Sequence, residues 1–114
     1  MSSAPESSQA DKLISQLLLQ DGDLRDIVEE FVHGLTVRIS ELKQAHEQMN
    51  WEQLVMLAHR LKGAAGSYGY PEISQLCAVM EQNFRSHQAT SFAAWLEQLV
   101  GMASAADAGL KEAT

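Results

Sequence analysis

Apolar residues recur every three or four positions along most of this chain, the spacing that places them on one face of an α-helix. The repeat begins near Leu13, and beyond Asp11 the only proline is Pro71. Ala, Leu, Gln and Glu, which all have a high intrinsic helix propensity, are abundant throughout. The sequence therefore predicts an all-α fold with almost no strand.

Turn and capping residues divide the pattern into five helices. Asn50 followed by Gln53 resembles a capping box, and Pro71 suits the first turn of a helix because its missing N–H has no partner there anyway. The predicted segments are a short first helix ending at Gln20-Asp21-Gly22, a long second helix capped by Asp23 and continuous to about Met49, a third from Trp51 to about Tyr68 stopped by Gly69, a fourth from Pro71, and a last helix capped by Thr90 or Ser91 and fraying after Gly109. Short connections between long amphipathic helices predict an antiparallel, up-down four-helix bundle with a small additional N-terminal helix.

Length and local composition indicate one domain with a loose beginning. A chain of 114 residues can bury one proper core but not two. Its first residues are rich in serine and include Pro5, so we expect residues 1–10 to form a flexible tail or linker and residues 11–114 to form the bundle.

Charge and cysteine content exclude several classes of function. The net charge is −7 and no long basic run occurs, so nucleic acid is not expected as a partner, and neither is direct contact with a membrane. Cys77 is the only cysteine, and neither a signal peptide nor an apolar segment of spanning length is evident. We expect a cytoplasmic monomer, which could also be the cytoplasmic part of a membrane protein.

The third predicted helix has two unlike faces when each residue advances by about 100°. Its apolar side carries Leu54, Leu57, Ala58, Leu61, Ala64, Ala65 and Tyr68. His59, Lys62, Gly63 and Gly66 fall on the opposite, water-facing side. Glycine inside a helix costs roughly 1 kcal/mol relative to alanine, and an outward glycine adds nothing to packing within the bundle. It does let another molecule approach the backbone, so we expect a docking surface beside His59.

The chemistry of this face suits phosphoryl transfer. An exposed imidazole is mostly neutral at pH 7, because the reference pKa of histidine is about 6.5, and it is then a competent nucleophile. Lys62, one turn from His59, is placed to screen the charge of a phosphoryl group. Phosphoryl transfer needs in-line positioning and charge neutralisation, which one His and one Lys supply only in part. We therefore expect no cofactor on this chain, and we expect the metal and the acidic pocket in the partner.

The run His59-Arg60-Leu61-Lys62-Gly63-Ala64-Ala65-Gly66-Ser67-Tyr68-Gly69, preceded by Ala58, closely resembles the signature of histidine phosphotransfer (Hpt) domains. The resemblance implies a phosphocarrier without kinase activity of its own, either free-standing or the cytoplasmic end of a membrane-bound hybrid kinase. His59 would accept a phosphoryl group from a receiver-domain aspartate and pass it to another receiver domain, and Lys62 would support the phosphohistidine. The residues implied in receiver docking are Gly63, Gly66, Arg60 and Ser67.

One position departs from some members of that family, which place a glutamine on the next helix beside the imidazole. Here the matching residue is Glu81, with Gln82 adjacent. A carboxylate could accept the second ring N–H and orient the imidazole, yet it would repel a phosphoryl group if it pointed the same way. Arg85 could offset that charge, and we expect it to pair with Glu81 at the i, i+4 spacing.

Two other functions remain as alternatives. A helical adaptor could bind a receiver or another protein without accepting phosphate. A metal-binding bundle is suggested by the ExxH spacing of Glu30 and His33, but such sites need a second ExxH, which the sequence lacks. His33, His46 and His87 are more simply solvated or packing residues. An ATP-dependent kinase is not supported, because no glycine-rich phosphate loop is present.

Overall fold

A computed structural model describes residues 12–112, and every regular element in that range is helical, as predicted. The tail predicted for residues 1–10 lies outside the described residues. The helices are α1 (Gln16–Gln20), α2 (Arg25–His33), α3 (Leu35–Glu47), α4 (Trp51–Ser67), α5 (Pro71–Arg85) and α6 (Phe92–Glu112), with a 3₁₀ turn at Gly22–Leu24 between α1 and α2. The all-α bundle with a short additional N-terminal helix is therefore confirmed.

The core lies between four struts: α2 with α3, then α4, α5 and α6. Helix α4 packs most extensively on α5, and α6 closes the bundle against α2, α3 and α5. The largest fully buried side chains are Tyr70, Phe84, Leu35, Leu42, Leu54, Leu61, Ile73, Met80 and Leu99. Their burial is the main source of stability in such a bundle, because most helical stability in proteins comes from tertiary packing of the apolar faces and not from helix propensity.

The first strut is broken at Gly34, so the prediction of one continuous helix to about Met49 was wrong. The Gly34 N–H is shared between the carbonyl oxygens of Glu30 (3.0 Å) and Phe31 (3.1 Å), which tightens the turn. Helix α3 then starts at Leu35 and ends at Glu47. Met49, expected on the apolar stripe, is exposed and has a positive φ of 53°.

The start of the first strut also differs from the prediction. Asp21, not Asp23, provides the capping side chain: its Oδ1 accepts from the Asp23 N–H at 3.0 Å. This bond starts the 3₁₀ turn, and α2 begins only at Arg25, with no side-chain cap. The turn residues were identified correctly, but their roles were shifted by the extra 3₁₀ turn.

The starts of α4 and α5 agree with the prediction. The Asn50 Oδ1 accepts from the Gln53 N–H at 3.1 Å, and Trp51 is the first residue of α4. Pro71 is the first residue of α5. Both starts depend on groups within one turn of the chain, and they fix where α4 and α5 begin in the sequence.

The segment before α1 fastens the end of α4. Gly69 has a φ of +89°, the left-handed conformation of a helix stop, as predicted. Its carbonyl accepts from the Gln16 N–H at 2.9 Å, and the Ser15 hydroxyl donates to the Tyr68 carbonyl at 2.6 Å. A Cβ at Gly69 would lie 2.7 Å from the Gln16 nitrogen, so this close approach needs glycine.

The last helix does not fray after Gly109, contrary to the prediction, but continues to Glu112. Leu110 is buried, and its carbonyl accepts from Arg25 Nη2 at 2.7 Å. Tertiary contacts thus extend α6 beyond the glycine. Among residues 12–112 no helix combines the length and apolar character that crossing a bilayer demands.

Candidate functional site

Helix α4 has a buried side and an outer side. Leu54, Ala58, Leu61 and Ala65 are buried. On the other side the His59 side chain is 61% exposed, and Gly63 and Gly66 are exposed as well. His59 and the two glycines therefore lie on the outer face, where the helical spacing placed them.

Glu81 of α5 is the centre of the polar contacts on this face. Its side chain is only 7% exposed and is contacted by three nitrogen atoms. His59 Nδ1 lies 3.1 Å from Oε2, Lys62 Nζ lies 3.0 Å from Oε1, and Arg85 Nη2 lies 2.6 Å from Oε2. The predicted pairing of Arg85 with Glu81 is confirmed. Together His59, Lys62, Gly63 and Gly66 of α4 and Glu81 and Arg85 of α5 form what we call the His59 face.

These contacts keep the Glu81 carboxyl ionised. Burial alone raises the pKa of Glu81, but hydrogen bonds from Arg85, Lys62 and His59 outweigh it and hold the pKa at about 2, below the usual 4.5. The carboxylate is therefore charged throughout the physiological pH range. A buried carboxylate with this set of donors is fixed in place, since any rotation would break at least one charge-assisted bond.

The ionised carboxylate also decides the tautomer of the imidazole. A carboxylate without a proton can only accept hydrogen bonds, so Nδ1 of His59 must be the donor in the contact with Glu81. In a neutral ring Nε2 then carries the lone pair. The structure therefore holds His59 with its basic nitrogen, the potential nucleophile, on the solvent-facing side of the ring.

Lys62 lies one turn along α4 from His59 and is 35% exposed. In the structure its ammonium is paired with Glu81 rather than standing alone. The charges on the face are thus one carboxylate and two cations, Lys62 and Arg85, before any ligand is added. This surplus of positive charge suits an incoming phosphoryl group, whose charge is close to −2.

The two glycines leave the outer side of α4 open. A Cβ built on Gly63 would meet nothing within 4 Å, and one on Gly66 would meet only the Ser74 Oγ at an ordinary contact distance of 3.5 Å. Packing within the bundle therefore does not require glycine at either position. The Ser74 hydroxyl donates to the Lys62 carbonyl at 2.9 Å and so ties α5 to α4 beside the face, a contact that nothing in the sequence signalled.

The other predicted residues occupy different places around the helix pair. Gln82 is exposed next to Glu81 and lines a shallow recess of about 220 Å³ with Lys62 and Arg85. Ser67 is exposed at the end of α4. Arg60 is exposed and lines a recess between α3 and α4. Gln82 is thus beside Glu81, whereas Arg60 lies on the α3 flank of α4.

The burial of Glu81 was the main feature that the sequence analysis missed. A signal was available, because Glu81 follows Cys77 by four positions and precedes Phe84 by three, which puts it at the edge of the apolar stripe of α5. Cys77 and Phe84 are both fully buried. A charged residue at such a position needs partners, and here the partners are Lys62 and Arg85 with the imidazole.

The remaining histidines have structural surroundings. His46 stacks on Phe92 at 3.9 Å between ring centroids, and His87 stacks on Trp51 at 5.0 Å. His33 lies 3.6 Å from a carboxylate oxygen of Asp107. Over residues 12–112 no group of three or more histidine, cysteine, aspartate or glutamate side chains is arranged to hold a metal ion.

Comparison with known proteins gives one match. The family model of the Hpt domain matches residues 26–109, a range that includes all of α3, α4 and α5 and the whole His59 face. No curated protein and no solved structure matches the chain.

Proposed function

This chain belongs to the Hpt domain family, whose members are phosphocarrier modules of phosphorelays, not kinases, and on that premise we propose that it carries its phosphoryl group on His59. The donor in this proposal is the phosphorylated aspartate of one receiver domain and the acceptor is the aspartate of another. Hpt domains interact with receiver domains, which supports both assignments in outline.

The observation that carries the proposal is the fixed orientation of an exposed imidazole. His59 is 61% exposed, and its Nδ1 is occupied by an ionised carboxylate, so a neutral ring presents the Nε2 lone pair to an approaching molecule. The lone pair attacks phosphorus, the phosphorus–oxygen bond to the receiver aspartate breaks, and that electron pair stays on the aspartate carboxylate. Return of the phosphoryl group is the same step in reverse.

The other residues of the face would assist by charge and by access. Lys62 would neutralise part of the phosphoryl charge, and Gly63 and Gly66 would let the receiver backbone approach α4. Arg60 and Ser67 would contact the receiver at the flanks of the same helix. Phosphoryl transfer depends on positioning and charge neutralisation, and we assign the metal ion and the acidic pocket to the receiver.

Incubation with a phosphorylated receiver domain tests the proposal directly. The wild-type domain should acquire a label that is labile in acid and stable in base, as expected for a phosphohistidine, and the variant His59→Gln should acquire none. If the wild type and the variant His59→Ala bind the receiver equally well, and the wild type never takes up label, the chain is the helical adaptor and the proposal is wrong.

Replacement of a glycine on the face tests the docking part separately. Gly66→Leu should remain helical but bind the receiver more weakly, because the added side chain occupies the path of approach. Gly101→Leu is the control, since Gly101 is also exposed on a helix but lies on α6, and a Cβ there would meet nothing within 4 Å. Equal receiver affinity for the two variants would remove Gly66 from the docking surface.

The proposal also covers the extent of the domain, its oligomeric state and its location. The bundle would comprise residues 11–114, act as a monomer, and work in the cytoplasm. Sedimentation of the purified chain would test the monomer, since a concentration-dependent increase in mass would contradict it.

A further inference from the structure

Three contacts on a single carboxylate carry an inference that rests on the proposed function and extends it to the energetics of the phosphohistidine. Glu81 Oε2 accepts from His59 Nδ1 and Arg85 Nη2, and Oε1 forms an ion pair with Lys62 Nζ at 3.0 Å. Since the side chain is 7% exposed, the bond to Nδ1 has little water to compete with at the carboxylate end. The other nitrogen of the ring remains free.

After phosphorylation at Nε2, the charge of the ring depends on whether Nδ1 keeps its proton. When the Nε2 lone pair forms a bond to phosphorus, a ring that keeps its Nδ1 proton becomes a cationic N-phosphoryl imidazolium. If that proton is lost, the ring becomes a neutral N-phosphoryl imidazole. The two forms differ as leaving groups: the first departs as neutral imidazole when the phosphorus–nitrogen bond breaks, whereas the second would have to depart as an imidazolate anion.

We propose that Glu81 keeps the Nδ1 proton on the phosphorylated ring of His59 and thereby makes the phosphoryl group easy to transfer onward. In the outgoing step a receiver carboxylate oxygen attacks phosphorus, the phosphorus–nitrogen bond breaks, and its electron pair returns to Nε2. Nδ1 keeps its proton throughout, held by Glu81 Oε2. The step requires no proton from solvent or from the receiver, and the ring returns to the tautomer that carries its proton on Nδ1.

Lys62 and Arg85 complete the arrangement, and with Glu81 they are the charged groups that face the ring from α4 and α5. Arg85, at 2.6 Å from Oε2, holds the carboxylate in place. Lys62, paired with the other oxygen, can turn its ammonium toward the phosphoryl group without disturbing the bond to Nδ1. The Glu81 carboxylate therefore acts on Nδ1, the ring nitrogen that does not carry the phosphoryl group.

The experiment compares the decay of phosphohistidine in matched variants, and it needs no receiver. The domain is phosphorylated with phosphoramidate, a small nitrogen-bound phosphoryl donor, and loss of the group to water is followed over a series of pH values. Hydrolysis breaks the same phosphorus–nitrogen bond. Glu81→Gln keeps the shape and an acceptor oxygen but removes the charge that favours the protonated ring.

The proposal predicts that Glu81→Gln loses its phosphoryl group roughly tenfold more slowly at neutral pH, the effect of replacing a charge-assisted hydrogen bond by a neutral one. The pH at which the decay rate falls by half should be lower in this variant by roughly one unit. Equal rates and equal pH profiles for the wild type and the variant would overturn the proposal.

A double variant separates the contact from the overall charge. Glu81→Gln with Gln82→Glu keeps the net charge and places a carboxylate in the neighbouring recess, but leaves Nδ1 without its ionised acceptor. It should decay as slowly as Glu81→Gln alone, and decay at the wild-type rate would contradict the proposal. If the predicted decay pattern is found but the wild type never exchanges phosphate with any receiver, the proposed function fails while this inference stands.

Discussion

Two faces of the bundle carry the same three kinds of side chain in different surroundings. On the His59 face, Glu81 lies 3.1 Å from the imidazole and 3.0 Å from Lys62. Where α2 meets α6, at what we call the His33 face, Asp107 of α6 lies 3.6 Å from the imidazole of His33 and 3.4 Å from Lys111. Each face is thus a histidine, a carboxylate and a lysine.

The burial of the carboxylate separates the two faces. The side chain of Glu81 is 7% exposed, whereas that of Asp107 is 42% exposed. A carboxylate in water interacts weakly with its partners because solvent and salt screen the charges. A buried carboxylate with three donors is held in one position and, in turn, holds the ring of His59. Burial of the carboxylate is therefore what distinguishes the surroundings of His59 from those of His33.

Replacing the two histidines in turn should give the largest difference between the faces. His59→Gln should abolish labelling by a phosphorylated receiver, because the residues of that face include no second imidazole. His33→Gln should label like the wild type, since its ring is not held and lies on another strut. Label on His33 that survives the loss of His59 would break the comparison.

The next largest difference is expected in how the carboxylate of each face contributes to the stability of the fold in acid. Because the pKa of Glu81 is lowered from 4.5 to about 2, its ionised form stabilises the fold above about pH 4.5, and this contribution is lost as the pH falls through about 2. A shift of this size corresponds to at most about 3 kcal/mol in the free energy of unfolding. Glu81→Gln should therefore be less stable than the wild type at neutral pH, with the difference vanishing at strongly acidic pH.

Asp107→Asn provides the matched measurement on the His33 face. Its free energy of unfolding should stay within about 0.5 kcal/mol of the wild type at every pH, because exposed ion pairs contribute little. Urea unfolding at several pH values would measure both variants. A pH-independent difference for Glu81→Gln would mean that its carboxylate is not held by the ion pairs seen in the structure.

Replacement of an exposed glycine on α4 or on α6 should change the free energy of unfolding by a smaller amount, and by a similar amount on the two helices. Gly63→Ala and Gly101→Ala each place a methyl group in open space on a helix, so each should stabilise the fold by up to about 1 kcal/mol. Only Gly63→Ala should reduce receiver affinity, because only Gly63 belongs to the His59 face. Thermal unfolding and receiver titration distinguish the two, and equal loss of affinity would place the docking surface elsewhere.

The smallest effect is expected at the solvent-exposed end of the His33 face. The Lys111 side chain is 79% exposed, so Lys111→Met should change the free energy of unfolding by less than about 0.5 kcal/mol. A destabilisation well above that value in a urea titration would show that the Asp107 cluster is more strongly held than its exposure indicates.

Local signals predicted the parts of the fold that depend on nearby residues. The caps at Asn50 and the start at Pro71 were correct because each depends on groups within one turn of the chain. The outward position of His59 was predictable for a different reason, because the apolar stripe of α4 faces the core and His59 lies on the opposite side of the helix. The same spacing placed Lys62 within reach of the ring.

Contacts between distant parts of the chain explain most of the errors. Helix α6 continues past Gly109 because Leu110 is buried and its carbonyl binds Arg25, which lies far away in sequence. Tertiary packing therefore decided where the last helix ends.

The contacts of Glu81 could be predicted only in part. Its pairing with Arg85 follows from a spacing of four residues on one helix. Its contacts with His59 and Lys62 depend on how α5 is rotated against α4, which the sequence fixes only through the apolar stripe of each helix. The charge balance of the face, and with it the role of the carboxylate, therefore required the structure.

The most direct test of the account is to locate the phosphoryl group on the ring by nitrogen and phosphorus NMR of the domain labelled by a phosphorylated receiver. The account predicts a single phosphorylated residue, His59, with phosphorus bonded to Nε2 and a proton retained on Nδ1. Phosphorus on Nδ1, or on any other histidine, would contradict it.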